Sequence, residues 1–263
     1  NSTKIGQIPI LKNGKLIEIV YKDKLDLIES SSLLEKMNLP VVIMAGGFGT
    51  RLDPFTRILP KALIPIGGKP IIEIIMDKFG VYGMREFTIS LNDKGKMVKA
   101  YFHDNDLGYN LNFIEENKPL GTAGSLKILQ GKLKETFFVS NCDIVIKGDY
   151  RDFLKFHHEK KNSLTIVGSM RHHKVPYGVC EIENDGDLIS IHEKPEYDFL
   201  TNTGMYILEP DILELIPKNT FFHMTDLIQC IQKKRLKVGV FPISEKSWID
   251  VGQWAEYQKV IKE

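Results

Sequence analysis

The chain has 263 residues, 43% of them apolar, and its 35 Lys and Arg against 34 Asp and Glu leave a net charge of +1. That length suffices for one large α/β domain with a small extra piece, and a charge so near zero implies no bulk attraction to nucleic acid or to an anionic membrane surface. The longest apolar stretches, 39–45 and 71–76, fall far short of the roughly 18 to 20 residues a bilayer-spanning helix needs, so neither nucleic acid nor membrane is an expected partner.

The chain starts at Asn1, and its first residues lack the basic-then-apolar order of a signal peptide, so a fragment of a longer protein is expected. Residues 7–11 and 16–21 read as extended runs joined by Lys12-Asn13-Gly14-Lys15, where Asn-Gly is a strong hairpin signal. A lone hairpin has too little apolar surface to stand in water, so it either docks on the main domain or is completed by chain that precedes it. Residues 1–36, with the Ser-rich stretch 29–32, resemble the closing portion of a CBS module, an adenosyl-ligand-sensing unit that can be fused to enzymes; a plain N-terminal hairpin fits as well.

From Leu39 onward, short apolar runs alternate with amphipathic stretches. Strands are predicted over 41–45, 86–91, 111–115 and 136–140, and helices over 71–82, 94–103, 123–133 and 150–161. This alternation argues for a parallel, doubly wound sheet. Strands dominate next, over 163–170, 177–183, 187–192 and 203–208, before short helices near Pro210 and Met224 and a last one over 253–261. Cys142, Cys180 and Cys230 lie far apart without a C-x-x-C pair, which argues against a zinc site or a disulfide framework and makes a reducing cytoplasm the default compartment.

The most informative stretch, "MAGGFGTRLDPFTRILPKALIPIGGKP", begins at Met44. A dinucleotide turn needs G-x-G-x-x-G, but counting from Gly46 the third position is Phe48 and counting from Gly47 the sixth is Leu52; a P-loop needs a Lys-Ser or Lys-Thr that is absent. What remains is a strand end carrying Ala45, Gly46, Gly47, Gly49, Thr50 and Arg51, then a proline-punctuated passage to Lys61 with no convincing helix for some fifteen to twenty residues, a loop length that is usually functional. Glycines allow close approach and converging N–H groups, while Arg51 and Lys61 add the charge a triphosphate requires. The site falls at a strand's carboxyl end, where open α/β sheets bind ligands.

The run G-G-F-G-T-R-L-x-P-x-T, continuing into L-P-K-A-L-I-P-I-G-G-K-P, resembles the signature of the sugar-1-phosphate nucleotidyltransferases, also called nucleotide-sugar pyrophosphorylases, and the likeness extends over 39–261. It implies a Rossmann-like α/β fold of GT-A type, a mostly parallel central sheet flanked by helices over 37–263, with the N-terminal hairpin as a remnant. It further implies a nucleoside triphosphate and a sugar 1-phosphate as substrates, Mg²⁺ as cofactor, and a homo-oligomer of unspecified size.

Other segments acquire roles through that resemblance. In "EENKPLGTAGSL", a strand-to-helix connection by itself, Glu116, Pro119, Gly121 and Thr122 would lie along the base. A carboxylate has only acceptors, so Glu116 matches the paired donors of a guanine edge better than uracil or thymine, which favours GTP. Asp143 in "VSNCDIVI" and Asp250 in "SWIDVG", each a plausible turn aspartate alone, match the positions that hold Mg²⁺, a cation that keeps several waters and needs few carboxylates. Asn141 departs from a two-aspartate glycosyltransferase motif. Gly178, Glu193 and Lys194, from "VPYGVCEI" and "IHEKPE", would approach the ring, bind its hydroxyls and hold its phosphate. Asn202, Thr203 and Gly204 would line the sugar. The CBS-fused relatives include glucosamine-1-phosphate guanylyltransferases of bacterial surface-sugar assembly, which makes glucosamine 1-phosphate the specific expectation, with heptose or mannose 1-phosphate left open.

The chemistry needs no general base, because a phosphate nucleophile is already ionised near neutral pH, its second pKa being about 6. Bringing two polyanions together is the difficulty, so Arg51, Lys61 and Lys194 are the expected catalytic cations.

Overall fold

The computed structural model of the chain describes residues 7–12, 15–21, 36–47, 49–92 and 94–260. Strands β1 (Gln7–Lys12) and β2 (Lys15–Tyr21) pair antiparallel with Lys12 opposite Lys15, the hairpin that the Asn-Gly signal predicts. Asn13, Gly14, Phe48 and the Ser-rich stretch lie outside the described residues, and so does the segment 22–35 that precedes the expected domain boundary.

The main domain opens with β3 (Val41–Met44), four apolar residues that are all buried. Val41 and Ile43 enter one core while Val42 and Met44 enter a second, the two-residue period of a strand covered on both faces. Next come one helical turn, α1 (Phe55–Ile58), and a two-residue ladder of β4 (Pro65–Ile66) with β5 (Lys69–Pro70). The passage expected to be irregular is thus broken into single turns, with 3₁₀ segments at Thr50–Leu52 and Lys61–Leu63. Helix α2 (Ile71–Gly80) buries Ile71, Ile72, Ile75, Met76 and Phe79 on one stripe.

Strand β6 (Glu86–Leu91), helix α3 (Gly95–Asp104) and strand β7 (Asn110–Glu115) follow as expected. The helix expected over 123–133 is instead a 3₁₀ segment, Gly124–Leu129. Its entry is held from outside, because the N–H groups of Ala123 and Gly124 both donate to the Phe222 carbonyl, and Gly131 at φ 76° ends the passage. Strand β8 (Phe137–Asn141), the short β9 (Ile144–Ile146) and helix α4 (Tyr150–Lys160) lead into β10 (Leu164–Lys174). A separate hairpin, β11 (Gly178–Ile182) with β12 (Leu188–Glu193), precedes the long β13 (Glu196–Leu208). Helix α5 (Met224–Lys233), strand β14 (Val238–Ile243), strand β15 (Trp248–Asp250) and helix α6 (Trp254–Val260) complete the fold. Three of these are not among the predicted strands: β9 and β15 have three residues each, and β14 carries Gly239 and Pro242, both turn signals, within its apolar run; the expected end of the last helix at Ile261 is outside the described residues.

The seven-stranded sheet has the order β14-β10-β13-β8-β3-β6-β7. Strands β8, β3, β6 and β7 run parallel, as do β10 and β14, while β13 is antiparallel to both of its neighbours. This is the expected α/β, mostly parallel architecture with helices on both faces. No helix among the described residues is long and apolar enough to cross a membrane. On one face, Phe79 meets Phe87, Phe138 and Tyr150 edge-on, with ring centroids 6.3, 5.6 and 4.9 Å away. Phe79→Ala is expected to cost about 3–5 kcal/mol, read as a lower denaturant midpoint with the slope unchanged; a loss below 1 kcal/mol would show that this aromatic cluster does not anchor α2 to the sheet.

Candidate active site

The chain leaves β3 toward β6 on one side, whereas β8, paired to β3's other side with Met44 opposite Asn141, leaves toward β9 and β10. Strand order therefore reverses between β3 and β8, and the carboxyl ends of both strands open onto a crevice at that switch point. Into it project the glycine loop after β3 and Asp143 after β8.

Asp143 is 7% exposed. Its carboxylate is ion-paired with the Lys61 ammonium, and Arg51 Nη2 stands 4.0 Å from the same oxygen. Asp250 reaches the crevice because β15 pairs antiparallel with β9, setting Asp250 opposite Ile144, and the Val251 N–H donates to the Asp143 carbonyl at 2.9 Å. The convergence shows at Gly252: a Cβ there would lie 2.7 Å from Lys61 Nζ and 2.9 Å from Asp250 Oδ1 and would overlap Asp143 Oδ2. The Gly252 N–H also donates to Asp250 Oδ1 at 2.8 Å, fixing that carboxylate in its turn. Two carboxylates and an ammonium thus share one point, although 107 residues separate Asp143 from Asp250 in the chain. Among the described residues no group of three or more His, Cys, Asp and Glu could hold a metal; the Asp143/Asp250 pair fits a Mg²⁺ that keeps several waters, and Lys61 already stands there as a cation. Burial, with the Asp143 carboxylate next to it, pushes the Cys142 thiol up to about 12, which makes it inert as a nucleophile.

The glycine loop is held from two sides. Asn92 Nδ2 donates to the Gly46 carbonyl at 2.6 Å, and Lys94 donates to the carbonyls of Thr56 and Arg57. Thr56 Oγ1 donates to the Gly49 carbonyl at 2.9 Å. Gly49 sits at φ 67°, and a Cβ on it would meet Thr56 Cγ2 at 2.8 Å and Lys61 Cβ at 3.2 Å, so both its conformation and its surroundings require glycine. Gly47 has nothing within 4 Å of its Cβ direction and Thr50 is exposed, leaving this edge of the loop accessible, while Ala45 is bonded to Ser90 at the sheet end. Asn92 and Lys94 were not singled out by sequence. Their signal is the polar run after the buried strand β6, at the same end of the sheet as the glycines.

Glu116 adjoins that loop, since a Cβ at Gly46 would lie 2.6 Å from Glu116 Oε1. The carboxylate is 8% exposed, and it accepts from Ser90 Oγ at 2.6 Å and from the Leu120 N–H at 3.0 Å. It therefore shapes the 116–120 turn, and any contact with a base must use its remaining lone pairs. Pro119 is exposed. Gly121, at φ 78°, packs so closely that a Cβ would stand 2.6 Å from the Phe222 carbonyl, and Thr122 Oγ1 accepts from the Met224 N–H at 2.9 Å. Thr122 thus seals the first turn of α5 while its residue remains exposed.

The residues assigned to the sugar form two groups. Gly204, at φ 91°, would carry a Cβ that overlaps the Asn141 side chain, so it brings β13 against the end of β8. Asn202 is exposed, with its amide donating to Tyr206 Oη at 2.7 Å and accepting from the Gly204 N–H at 3.1 Å. Thr203 is 2% exposed, and its hydroxyl donates to the Val167 carbonyl at 2.8 Å and accepts from the Met205 N–H, so it stabilises the bulge between β10 and β13. The second group is Gly178 opposite Glu193, with a Gly178 Cβ direction ending 3.1 Å from Glu193 Oε2, and Lys194, whose Nζ is 3.8 Å from Glu193 Oε1. Lys194 holds φ at 48°, a left-handed conformation that costs a residue with a Cβ about 1–2 kcal/mol. Among the described residues no hydrogen bond or ion pair ties this second group to Asp143.

Because Gly252 is closed in by three charged groups, Gly252→Ala is expected to destabilise the protein by about 1–3 kcal/mol through overpacking. Chemical denaturation reads this as a lower midpoint; an unchanged midpoint would mean that the turn gives way freely.

The chain is similar to known proteins over most of its length. The family model described as nucleotidyl transferase matches residues 40–263. Mannose-1-phosphate guanyltransferase of Pichia angusta is 31% identical over 223 residues, covering 81% of this chain and 60% of its own length. UTP–glucose-1-phosphate uridylyltransferase of Synechocystis is 27% identical over 244 residues, covering 85% of this chain and 63% of its own length. The chain thus spans about three fifths of the length of these relatives. Among solved structures, HddC from Yersinia pseudotuberculosis complexed with GMP-PN is similar with a TM-score of 0.66 and 29% identity, over 85% of this chain and 98% of that one. With a family match running from β3 to the last described helix and a fold shared with such structures, the chain belongs to the nucleotidyl transferase family.

Proposed function

We propose that the chain transfers a nucleotidyl group from a nucleoside triphosphate to a sugar 1-phosphate, releasing pyrophosphate. The observation that carries this reading is the cluster of Lys61, Arg51, Asp143 and Asp250 at the switch point between β3 and β8, beside an accessible glycine loop. In it, Arg51 and Lys61 neutralise the triphosphate while the loop N–H groups orient it. Lys194 receives the sugar phosphate, and Gly178, Glu193 and Asn202 face the sugar. Mg²⁺, held by Asp143 and Asp250, would supply positive charge to the phosphate oxygens. An oxygen of the sugar phosphate attacks the α-phosphorus in line and pyrophosphate leaves, a step that rests on positioning and charge neutralisation.

GTP is the proposed nucleotide. Glu116 beside Gly46 supports it as an acceptor-only group, and the guanyl names of relatives and the GMP-PN complex of HddC favour the same base. For the sugar we place glucosamine 1-phosphate first, as part of bacterial surface-sugar biosynthesis, with Glu193 as an acceptor for its 2-amino group; mannose 1-phosphate, named in the relatives, comes second. A homo-oligomer and a cytoplasmic location belong to the same proposal.

The deciding experiment is pyrophosphate release from four nucleoside triphosphates against a panel of sugar 1-phosphates with Mg²⁺. GTP with one of those two sugars is expected to be fastest, and no release from any pairing would instead favour a regulatory subunit that binds nucleotide sugars without making them. Lys194→Ala is expected to lower turnover on the order of 10²- to 10³-fold while nucleotide affinity stays near wild type. If both fall together, Lys194 does not belong to the sugar phosphate.

A further inference from the structure

The Lys61 ammonium is paired with Asp143, one of the two carboxylates that a shared cation would use. Its side chain is 10% exposed and that of Asp143 is 9% exposed, so the pair is shielded from water, and the Cβ direction of Gly252 ends between Lys61 Nζ and Asp250 Oδ1. With Arg51 4.0 Å from Asp143, two positive side chains face two negative ones. A divalent ion entering this balanced cluster would set four positive charges against two negative ones in a partly desolvated site, where electrostatic terms are large.

The glycine loop offers Lys61 another position. A Cβ built on Gly49 lies 3.2 Å from Lys61 Cβ, so the lysine stem already runs beside the loop that would bind the triphosphate. Lys61 begins its own 3₁₀ turn after Pro60, and rotation about the stem bonds is enough to move the ammonium from the carboxylates toward the loop with the backbone in place.

We propose that Lys61 is a resident counter-cation which keeps divalent metal off Asp143 and Asp250 until an arriving triphosphate draws the ammonium away. The proposal rests on the nucleotide-site reading above. Metal and nucleotide are then positively coupled, each raising affinity for the other by the same factor. The free protein seldom loads metal, and Asp143 is never left as an uncompensated buried charge.

Mn²⁺ alone is the probe, titrated without nucleotide into the full chain as wild type, Lys61→Met, Lys61→Gln and the double variant Lys61→Met/Asp143→Asn, with bound metal read by electron paramagnetic resonance. Both single variants are expected to bind Mn²⁺ at least about 10-fold more tightly than wild type, because the occupied fraction of the site no longer taxes the apparent affinity. The double variant should lose that gain. Thermal unfolding supplies a second readout: Mn²⁺ should raise the midpoint of the single variants and leave wild type nearly unmoved. Equal Mn²⁺ affinity in wild type and the folded single variants overturns the proposal, as does a gain that survives Asp143→Asn. The pyrophosphate assay on wild type separates the two ideas: turnover with equal Mn²⁺ affinities defeats the gating role alone, whereas absence of turnover with every nucleotide defeats the functional reading.

Discussion

The parallel pairing of β3 with β8 is the constraint from which the candidate site follows. Backbone hydrogen bonds hold Met44 opposite Asn141, so a loop of glycines and a buried aspartate emerge side by side from strands nearly a hundred residues apart. Because the chain departs from these strands in opposite directions, no crossover covers their carboxyl ends. The small ladder of β9 with β15 then carries Asp250 to the same opening. Were β8 placed elsewhere in the sheet, Arg51 and Asp143 would be unrelated surface groups.

Charge within that opening is costly to assemble. Lys61 and Asp143 are both largely removed from water, and replacing such a pair with apolar residues is often neutral or stabilising. Stability alone is thus a weak reason for the pair to exist, whereas binding of a polyanion gives it a purpose. The surroundings keep the cost bounded: the Val251 N–H holds the Asp143 backbone, the Gly252 N–H holds Asp250, and Asn92 with Lys94 fix the loop that carries Arg51. These cations and carboxylates are therefore presented on backbone that other residues have already immobilised, the kind of positioning that the proposed reaction needs.

Much of this was legible in the chain. The all-apolar run of β3, the stripe of α2 and the pairing of β1 with β2 each follow from local rules of burial and backbone freedom, and the clustering of Gly46, Gly47 and Gly49 with Arg51 and Lys61 is visible without coordinates. Local rules also mislead where a remote partner intervenes. The segment after Gly121 has helical composition, but the Phe222 carbonyl takes its first N–H groups and leaves a 3₁₀ turn.

By itself, then, the sequence determined most of the strands and helices of the parallel half of the sheet, that one loop collects glycine and positive charge, and which carboxylates were available to it, because these depend on side-chain type and short-range spacing. Tertiary structure alone decided that Asp143 and Asp250 converge at Gly252, that Lys61 pairs with Asp143 there, and that Glu116 accepts from Ser90 and from the Leu120 N–H. Those relations come from strand order and cross-strand register, which bring together groups separated by tens to more than a hundred residues and so leave no trace in local pattern.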